Sequence, residues 1–452
     1  MKKISFHGAS GTVTGSAYVL TRYDKDPLMI DLGMFQGPKE VSDLNYEPLQ
    51  FDPSQLIAVL LTHAHLDHCG RLPLLVQRGF NKKIYMTRPT AELLELVLMD
   101  AAHIAEHDET KTPLFNEHDI ERILSLVELV EYNKEFEVGP YSVLYKDSGH
   151  IMGSASIQLR DNFNQDGVGT IIFSGDIGNF PQDLVQPTEF FSHADVVLME
   201  STYGGRVHSY ESANKVLQEE INIVEKEDAA LLIPSFSIER TQEILHRIDH
   251  LKSSGKIKEA TPIFLDSPMA IKATEIYKKY RMYFNKELTD HIANNDPFDF
   301  PGLRVIEKSD QSMKIHNTPG AKVIIAGSGM MTGGRIVQHA FHYLKRSTSR
   351  LLIVGYQGEG TLGRALADGA TEVQINKQTV PVHANVRVVT SMSAHADEPK
   401  LLEWLGHIKD VKQVFLVHGD DEPRAILKEK IIQSGINAIK MPQMYETFEL
   451  KA

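Results

Sequence analysis

The first third of the chain is written in short apolar or alternating runs. Ile4–His7, Ala17–Thr21, Leu28–Leu32 and Leu56–Thr62 each have the length of a strand, and glycines such as Gly8, Gly15, Gly33 and Gly37 separate them. A 3–4 spacing of Leu93, Leu94, Val97, Leu98, Ala101, Ile104 and Ala105 predicts an amphipathic helix over about Thr90–Asp108. More strands are expected, ending at Thr170–Phe173 and Asp195–Met199. After about residue 208 the style changes to alternating helices and strands. Strands are predicted at Ala229–Ile233, Pro262–Leu265, Lys322–Ala326 and Leu351–Gly355. Helices are predicted at Ser212–Val224 and near Glu239–Asp249, Ile271–Tyr280 and Arg335–Leu344. Such alternation implies a parallel sheet with right-handed crossovers. The stretch Leu288–Pro319 is weakly periodic and reads as an irregular excursion. From about Val380 the strand-rich style returns and runs to the polar end at Lys451 and Ala452.

Composition narrows this picture. The 452 residues suffice for two or three domains, and 42% hydrophobic with 24% charged residues is an ordinary globular balance. Cys69 is the only cysteine, so no intramolecular disulfide forms. The longest apolar runs, such as Ala58–Leu61 and Leu351–Val354, fall far short of the roughly 20 residues a bilayer needs. Polar residues soon after Lys2 and Lys3 argue against a secretory signal. The expectation is a soluble, cytoplasmic protein with no membrane partner. A net charge of −13 removes the argument for an overall basic nucleic-acid footprint. It leaves room for a local positive site made by clustered Arg or by bound metal.

The twenty histidines carry the chemistry. Directly after the apolar strand ending at Leu61 stands Thr62-His63-Ala64-His65-Leu66-Asp67-His68. A loop at a strand end can turn His63 and His65 to one centre and Asp67 and His68 to another. Zinc takes such nitrogen and oxygen ligands, and two metals can clamp a hydroxide and a phosphoryl oxygen together. More ligands are then needed from other strand ends. His150, after Gly149, and Asp176, after Gly175, are candidates. Asp31 ends another apolar strand and could accept the second N–H of a ligand histidine.

This arrangement resembles the metallo-β-lactamase hydrolase superfamily. Its His-x-His-x-Asp-His motif, later His and later Asp match His63, His65, Asp67, His68, His150 and Asp176. The resemblance is sharper to the β-CASP nucleases, the bacterial and archaeal relatives of the cleavage and polyadenylation nuclease subunit. Glu200 in Met199-Glu200-Ser201-Thr202, His395 in Ser393-Ala394-His395-Ala396-Asp397 and His418 in Val417-His418-Gly419 match their three further motifs. The resemblance implies an α/β fold, a metallo-β-lactamase αββα sandwich with an inserted parallel-sheet β-CASP domain. The expected boundaries are 1–208 and 381–452 for the sandwich and 209–380 for the insert, with the active site in the cleft between them. The resemblance also implies roles. His63, His65 and His150 hold one zinc. Asp67, His68 and His418 hold the other, and Asp176 bridges them. Glu200 orients His395, which protonates the leaving oxygen after hydroxide attack. Mn²⁺ or Fe²⁺ are substitutes that similar ligands accept.

Four loops follow predicted parallel strands of the insert, where open sheets bind ligands. They are Pro234–Arg240, Asp266–Met269, Gly327–Arg335 and Gly358–Arg364. Their backbone N–H groups suit phosphate, and Arg240, Arg335 and Arg364 could add bidentate contacts. Ser235, Ser328, Gly329, Gly333 and Gly334 complete the candidate substrate site, and two of the loops resemble β-CASP segments. His103 and His107 read as helix-surface residues, Met330 and Met331 as packing, and Cys69 as a small buried neighbour. His208 and the acidic run Glu219–Glu225 read as surface features.

The resulting expectation is a zinc-dependent ribonuclease on single-stranded RNA, as an endonuclease, a 5′-to-3′ exonuclease, or both. A small-molecule hydrolase of esters, thioesters or phosphoesters on the same dinuclear site is the alternative, and an inactive RNA-binding scaffold is a third. Frequency alone admits a homodimer.

Overall fold

A computed structural model describes residues 2–107, 112–164, 167–180, 184–286, 288–289 and 296–450. The expected helix end at Asp108, the terminal Lys451 and Ala452, and part of the Leu288–Pro319 stretch lie outside them. The chain divides into two compact units. One is Met1–Val207 with His395–Ala452, and the other is His208–Ala394. The return to the first unit comes at His395 rather than near 381. The strands that restore the strand-rich style belong to the second unit: Asn385–Val388 pairs in parallel with Arg350–Ile353, and Gln378–Pro381 closes a hairpin on Glu372–Ile375.

The first unit is built on two seven-stranded sheets. One runs, in spatial order, through Thr447–Glu449, Lys2–Phe6, Tyr18–Arg22, Lys25–Ile30, Ala58–Leu60, Lys83–Thr87 and Val127–Val130. The other runs through Ile439–Lys440, Gln413–Val417, Val196–Glu200, Thr170–Phe173, Ala155–Asp161, Tyr141–Asp147 and Phe136–Val138. Side-chain alternation explains the layers. Ile171, Phe173, Val196, Leu198 and Phe415 face inward and meet Ile4, Leu20, Leu28 and Ile30 of the facing sheet in one core. Their neighbours Ile172, Val197, Met199, Val414 and Leu416 face outward and meet Leu401, Trp404, Leu427 and Ile431. These last four come from the helices Glu398–Gly406 and Asp421–Gln433. Strands covered on both faces read as unbroken apolar runs. The helix Arg88–Glu106 buries Leu93, Leu94, Val97 and Leu98 beside Lys83–Thr87 and Val127–Val130. The result is an αββα sandwich.

The second unit carries a six-stranded, wholly parallel sheet. Its order is Leu303–Val305, Ile263–Asp266, Lys322–Ala326, Ala230–Pro234, Arg350–Ile353 and Asn385–Val388. Helices such as Ala213–Glu227, Arg240–Ser253, Pro268–Lys279 and Arg335–Tyr343 connect the strands. The stretch read as irregular contributes the edge strand Leu303–Val305 and a short helix, Ser309–Lys314. The acidic run is not all surface. Glu220 is fully buried because Arg350 and Arg387 both pair with it. His208 is buried as well. No helix among the described residues is long and apolar enough to cross a membrane.

Candidate metal centre

Every candidate ligand sits just past a strand end of the first unit. Ala58–Leu60 leads to His63 and His65, and the short helix Leu66–Cys69 carries Asp67 and His68 in one turn. That helix lies tight against the turn after Lys25–Ile30. Leu32 N donates to His68 O at 2.9 Å, Met34 N to Leu66 O at 2.9 Å and Ser16 N to Asp67 O at 2.8 Å. Gly33 makes this approach feasible, since a Cβ there would lie 1.5 Å from the Asp67 carbonyl oxygen. Tyr141–Asp147 leads to His150, Thr170–Phe173 to Asp176, and Gln413–Val417 to His418. Asp31 and His418 adopt left-handed φ values of 56° and 49°. Such strained backbone persists only where its surroundings impose it.

The ligand atoms converge in two groups around Asp176. Nε2 of His63 and Nε2 of His150 lie 3.2 and 3.1 Å from Nδ1 of His65. Both also face Asp176 Oδ2, at 3.4 and 3.5 Å. On the other side, His68 Nε2 is 3.2 Å and His418 Nε2 3.8 Å from Asp176 Oδ1. His418 Nε2 is 3.2 Å from Asp67 Oδ2. Each group is compact enough to hold one ion.

Neighbouring oxygens set the imidazole tautomers. Asp31 accepts from Thr62 N and from Thr62 Oγ1, both at 2.8 Å, and from His68 Nδ1 at 2.7 Å. Thr62 Oγ1, its own proton given to Asp31, accepts from His63 Nδ1 at 3.1 Å. Thr202 Oγ1 plays the same part for His418 Nδ1, also at 3.1 Å. In all three histidines Nε2 is turned to the centre. Thr62 and Thr202 were given no role by the sequence. Their place inside the quoted motifs was the available signal.

The electrostatics fit cations. Burial pushes His63 and His150 well below their usual value and His65 to about 4, so these imidazoles are neutral acceptors. Burial would lower His68 too, but Asp176 and Asp31 overcome it and hold it well above. Burial would raise Asp176, yet His418, His68 and His63 hold its carboxyl well below the carboxylate range. Asp176 Oδ1 and His65 Nε2 are nonetheless buried without a hydrogen bond. The neutral imidazoles of His63, His65 and His150 beside the Asp176 carboxylate are a donor set for divalent metal, and the residues fit such ions.

Beside the centre, Glu200 is fully buried. It accepts from Ile177 N at 2.7 Å and lies 3.2 Å from His395 Nδ1. The loop of Asp176 also holds His395, since Ala396 N donates to Ile177 O at 2.8 Å. His395 Nε2 points to Asp176 Oδ2 at 4.0 Å. Burial would lower His395, but Glu200 and Asp176 raise it to about 9.

The candidate substrate residues lie elsewhere, in the second unit past its parallel strands. Ser235, Ser328, Gly329, Gly333 and Gly334 line these turns. The guanidinium groups are not free. Arg240 is buried and paired with Glu243. Arg335 donates to Asp266 at 2.6 Å and to the carbonyls of Ile306 and Glu307. Arg364 pairs with Asp368 on its own helix at 2.8 Å. Cys69 is buried with its thiol on the Ala64 carbonyl, and His103 and His107 are exposed.

Comparison with known proteins agrees with this architecture. The family model described as Metallo-beta-lactamase superfamily matches residues 10–149, and that described as Beta-Casp domain matches 241–366. A third, Zn-dependent metallo-hydrolase RNA specificity domain, matches 379–442. Ribonuclease TTHA0252 of Thermus thermophilus is 38% identical over 432 residues, covering 95% of either chain. The RNase J-like protein of Methanocaldococcus jannaschii is 31% identical over 428 residues, covering 93% of either chain. Transcription termination factor FttA of that organism is 26% identical, over 97% of this chain and 72% of its own. The crystal structure of a protein of unknown function from Enterococcus faecalis V583 aligns with a TM-score of 0.56 at 14% identity, over 99% of this chain and 100% of that one, which shows a shared fold. The chain belongs to the β-CASP ribonuclease family of the metallo-β-lactamase superfamily and is a metal-dependent hydrolase.

Proposed function

We propose that the protein is a zinc-dependent ribonuclease that hydrolyses phosphodiester bonds of single-stranded RNA at a two-metal centre. The observation that carries this reading is Asp176, which turns one oxygen to His63 and His150 and the other to His68 and His418. Zn²⁺ ions, when bound, supply an ionised water and neutralise the charge that grows on the phosphate. The chain's own residues do the rest. His63, His65 and His150 form one set of holding groups, Asp67, His68 and His418 the other, and Asp176 serves both. His395, with Nδ1 turned to Glu200, presents its Nε2 proton to the departing oxygen. The Glu200 carboxylate at Nδ1 favours the protonated ring. Glu200 orients the ring and steadies its charge.

RNA contacts are assigned to the backbone at Gly329, Gly333 and Gly334; the Ser235 N–H donates to the Ala326 carbonyl. Arg240 and Arg335 carry no assigned RNA contact in this reading, because both pair with protein carboxylates. An RNA substrate is supported by the relatives named above and by the family model for an RNA specificity domain.

The test is a gel assay on single-stranded RNA and matched DNA, end-labelled at 5′ or 3′, with Zn²⁺, Mn²⁺ or chelator. Metal-dependent cutting of RNA is expected, and Asp67→Ala should abolish it along with one bound metal. His395→Ala should keep both metals and slow cutting by roughly 10²–10⁴-fold. Protein that carries two metals yet cuts neither strand would favour the small-molecule hydrolase.

A further inference from the structure

Phe236 follows Ala230–Pro234, an interior strand of the second unit's parallel sheet. That strand lies between Lys322–Ala326 and Arg350–Ile353. The Phe236 ring is partly exposed, while Ile233 before it and Ile238 after it are buried. Glycines past both neighbouring strands make its seat. A Cβ on Gly329 would fall 2.5 Å from Phe236 Cδ2, and one on Gly355 would fall 3.2 Å from Cε2. No residue larger than glycine fits at Gly329 unless the ring moves. The Gln357 side chain ties the two sides together. Its Nε2 donates to the Gly329 carbonyl at 2.9 Å and to the Gly355 carbonyl at 3.2 Å. The Phe236 backbone is fixed as well, since its carbonyl accepts from Thr241 Oγ1 at 2.8 Å and from Ser235 Oγ at 3.2 Å. Next in the chain, Ser237 holds its hydroxyl 3.3 Å from that of Ser267. A Cβ on Gly327 would lie 3.5 and 3.4 Å from these two oxygens, so that glycine leaves them uncovered.

A phenylalanine ring is stabilised by full burial, which this one forgoes. Two glycines and a buried glutamine nevertheless hold it in one place. That place is past the C-terminal ends of parallel strands, where open α/β sheets bind ligands. A rigid apolar ring beside paired hydroxyls suits a ligand with a flat apolar face and a polar edge. An unpaired base has that shape. The arginines of the neighbouring turns pair with carboxylates, and stacking on an aromatic ring needs no net charge. It therefore suits an acidic protein, and it accepts any base, since every base has a π-face. A duplex keeps those faces stacked on one another and has none to offer.

We propose that Phe236 is a stacking platform for one unpaired base of the RNA substrate, with the Ser237 and Ser267 hydroxyls meeting polar groups of the same nucleotide. The identity of the ligand rests on the ribonuclease reading above. Gln357 is a positioning residue, acting only through the two glycine turns that seat the ring.

The test is binding of a single-stranded phosphorothioate RNA, which is hydrolysed slowly, to the full-length, metal-loaded protein. Wild type is compared with Phe236→Ala, Phe236→Trp and Ser237→Ala, and Tm and metal content are measured in parallel. Phe236→Ala should weaken binding roughly 5–150-fold, Phe236→Trp should restore it, and Ser237→Ala should weaken it by a few-fold. The introduced tryptophan gives a direct readout, because its fluorescence should be quenched as RNA binds. Trp404 is the only tryptophan of the wild type and is fully buried, so the wild-type signal should stay constant. Unchanged affinity in Phe236→Ala, or Phe236→Trp fluorescence unmoved by bound RNA, would overturn the proposal and make the ring a packing residue. Should Phe236→Ala fail to fold, the fluorescence of Phe236→Trp decides alone. The two readings fail differently. Wild type that neither binds nor cuts single-stranded RNA would overturn both, whereas wild type that does both, beside an unaltered Phe236→Ala, overturns this one alone.

Discussion

Asp176 in the first unit and Asp266 in the second are both buried carboxylates at the C-terminal end of a strand, with opposite surroundings. Asp266 accepts from Arg335 Nη1 at 2.6 Å, Ser312 Oγ at 2.5 Å and His339 Nε2 at 2.6 Å. Its charge is met within the protein. Asp176 is ringed by imidazole nitrogens at 3.2–4.0 Å, farther off than the donors that close on Asp266. Its charge awaits a cation from outside. A strand-end position therefore does not distinguish a structural carboxylate from a ligand; the filling of its lone pairs does. The same contrast explains Arg335, whose guanidinium is held on Asp266.

Replacing each carboxylate tests the contrast most severely. Asp176→Ala should strip metal and reduce hydrolysis below detection, with metal content read by mass spectrometry. Asp266→Ala should keep the metals while unfolding free energy falls by about 3–5 kcal/mol, because Arg335 loses its buried partner. Metal loss from Asp266→Ala, or full metal content in Asp176→Ala, would break the distinction.

A smaller effect is expected one step out from the centre. Asp31→Asn leaves every ligand in place but removes the anion that His68 Nδ1 and Thr62 bond. Metal affinity should fall by roughly 10–100-fold. Chelator competition measures it, and unchanged affinity would mean that Thr62 alone fixes the rings.

The candidate metal centre was legible because four of its candidate ligands are crowded into His63–His68 behind an apolar strand, a local pattern with little other use. The second unit's parallel sheet was legible for a similar reason, since its central strands are short, continuous apolar runs. What escaped depended on partners far away in the chain. Glu220 sits in an acidic helix that looks solvent-facing, yet Arg350, 130 residues on, and Arg387 draw it inside. Arg335 looked like a free cation in a Gly-rich turn until Asp266, 69 residues earlier, was found against it. Leu303–Val305 was missed because three edge residues carry no periodicity. The strand Asn385–Val388 is half polar, and its sheet was settled by backbone pairing with Arg350–Ile353.

The mildest way to sharpen the comparison is to titrate Asp266. Burial would raise its carboxyl, but the bonds from His339, Ser312 and Arg335 outweigh that and hold it below the usual range. A carboxyl whose pKa falls on folding contributes stability above its unfolded value near 3.9. It loses that contribution as pH falls through the folded value. Wild type should therefore exceed Asp266→Asn in Tm at pH 7, and the gap should begin to narrow below about pH 5. Thermal melts across that range give the answer. A gap that stays constant into acid would mean that Asp266 acts through the shape of its contacts, and that its charge is not what sets it apart from Asp176.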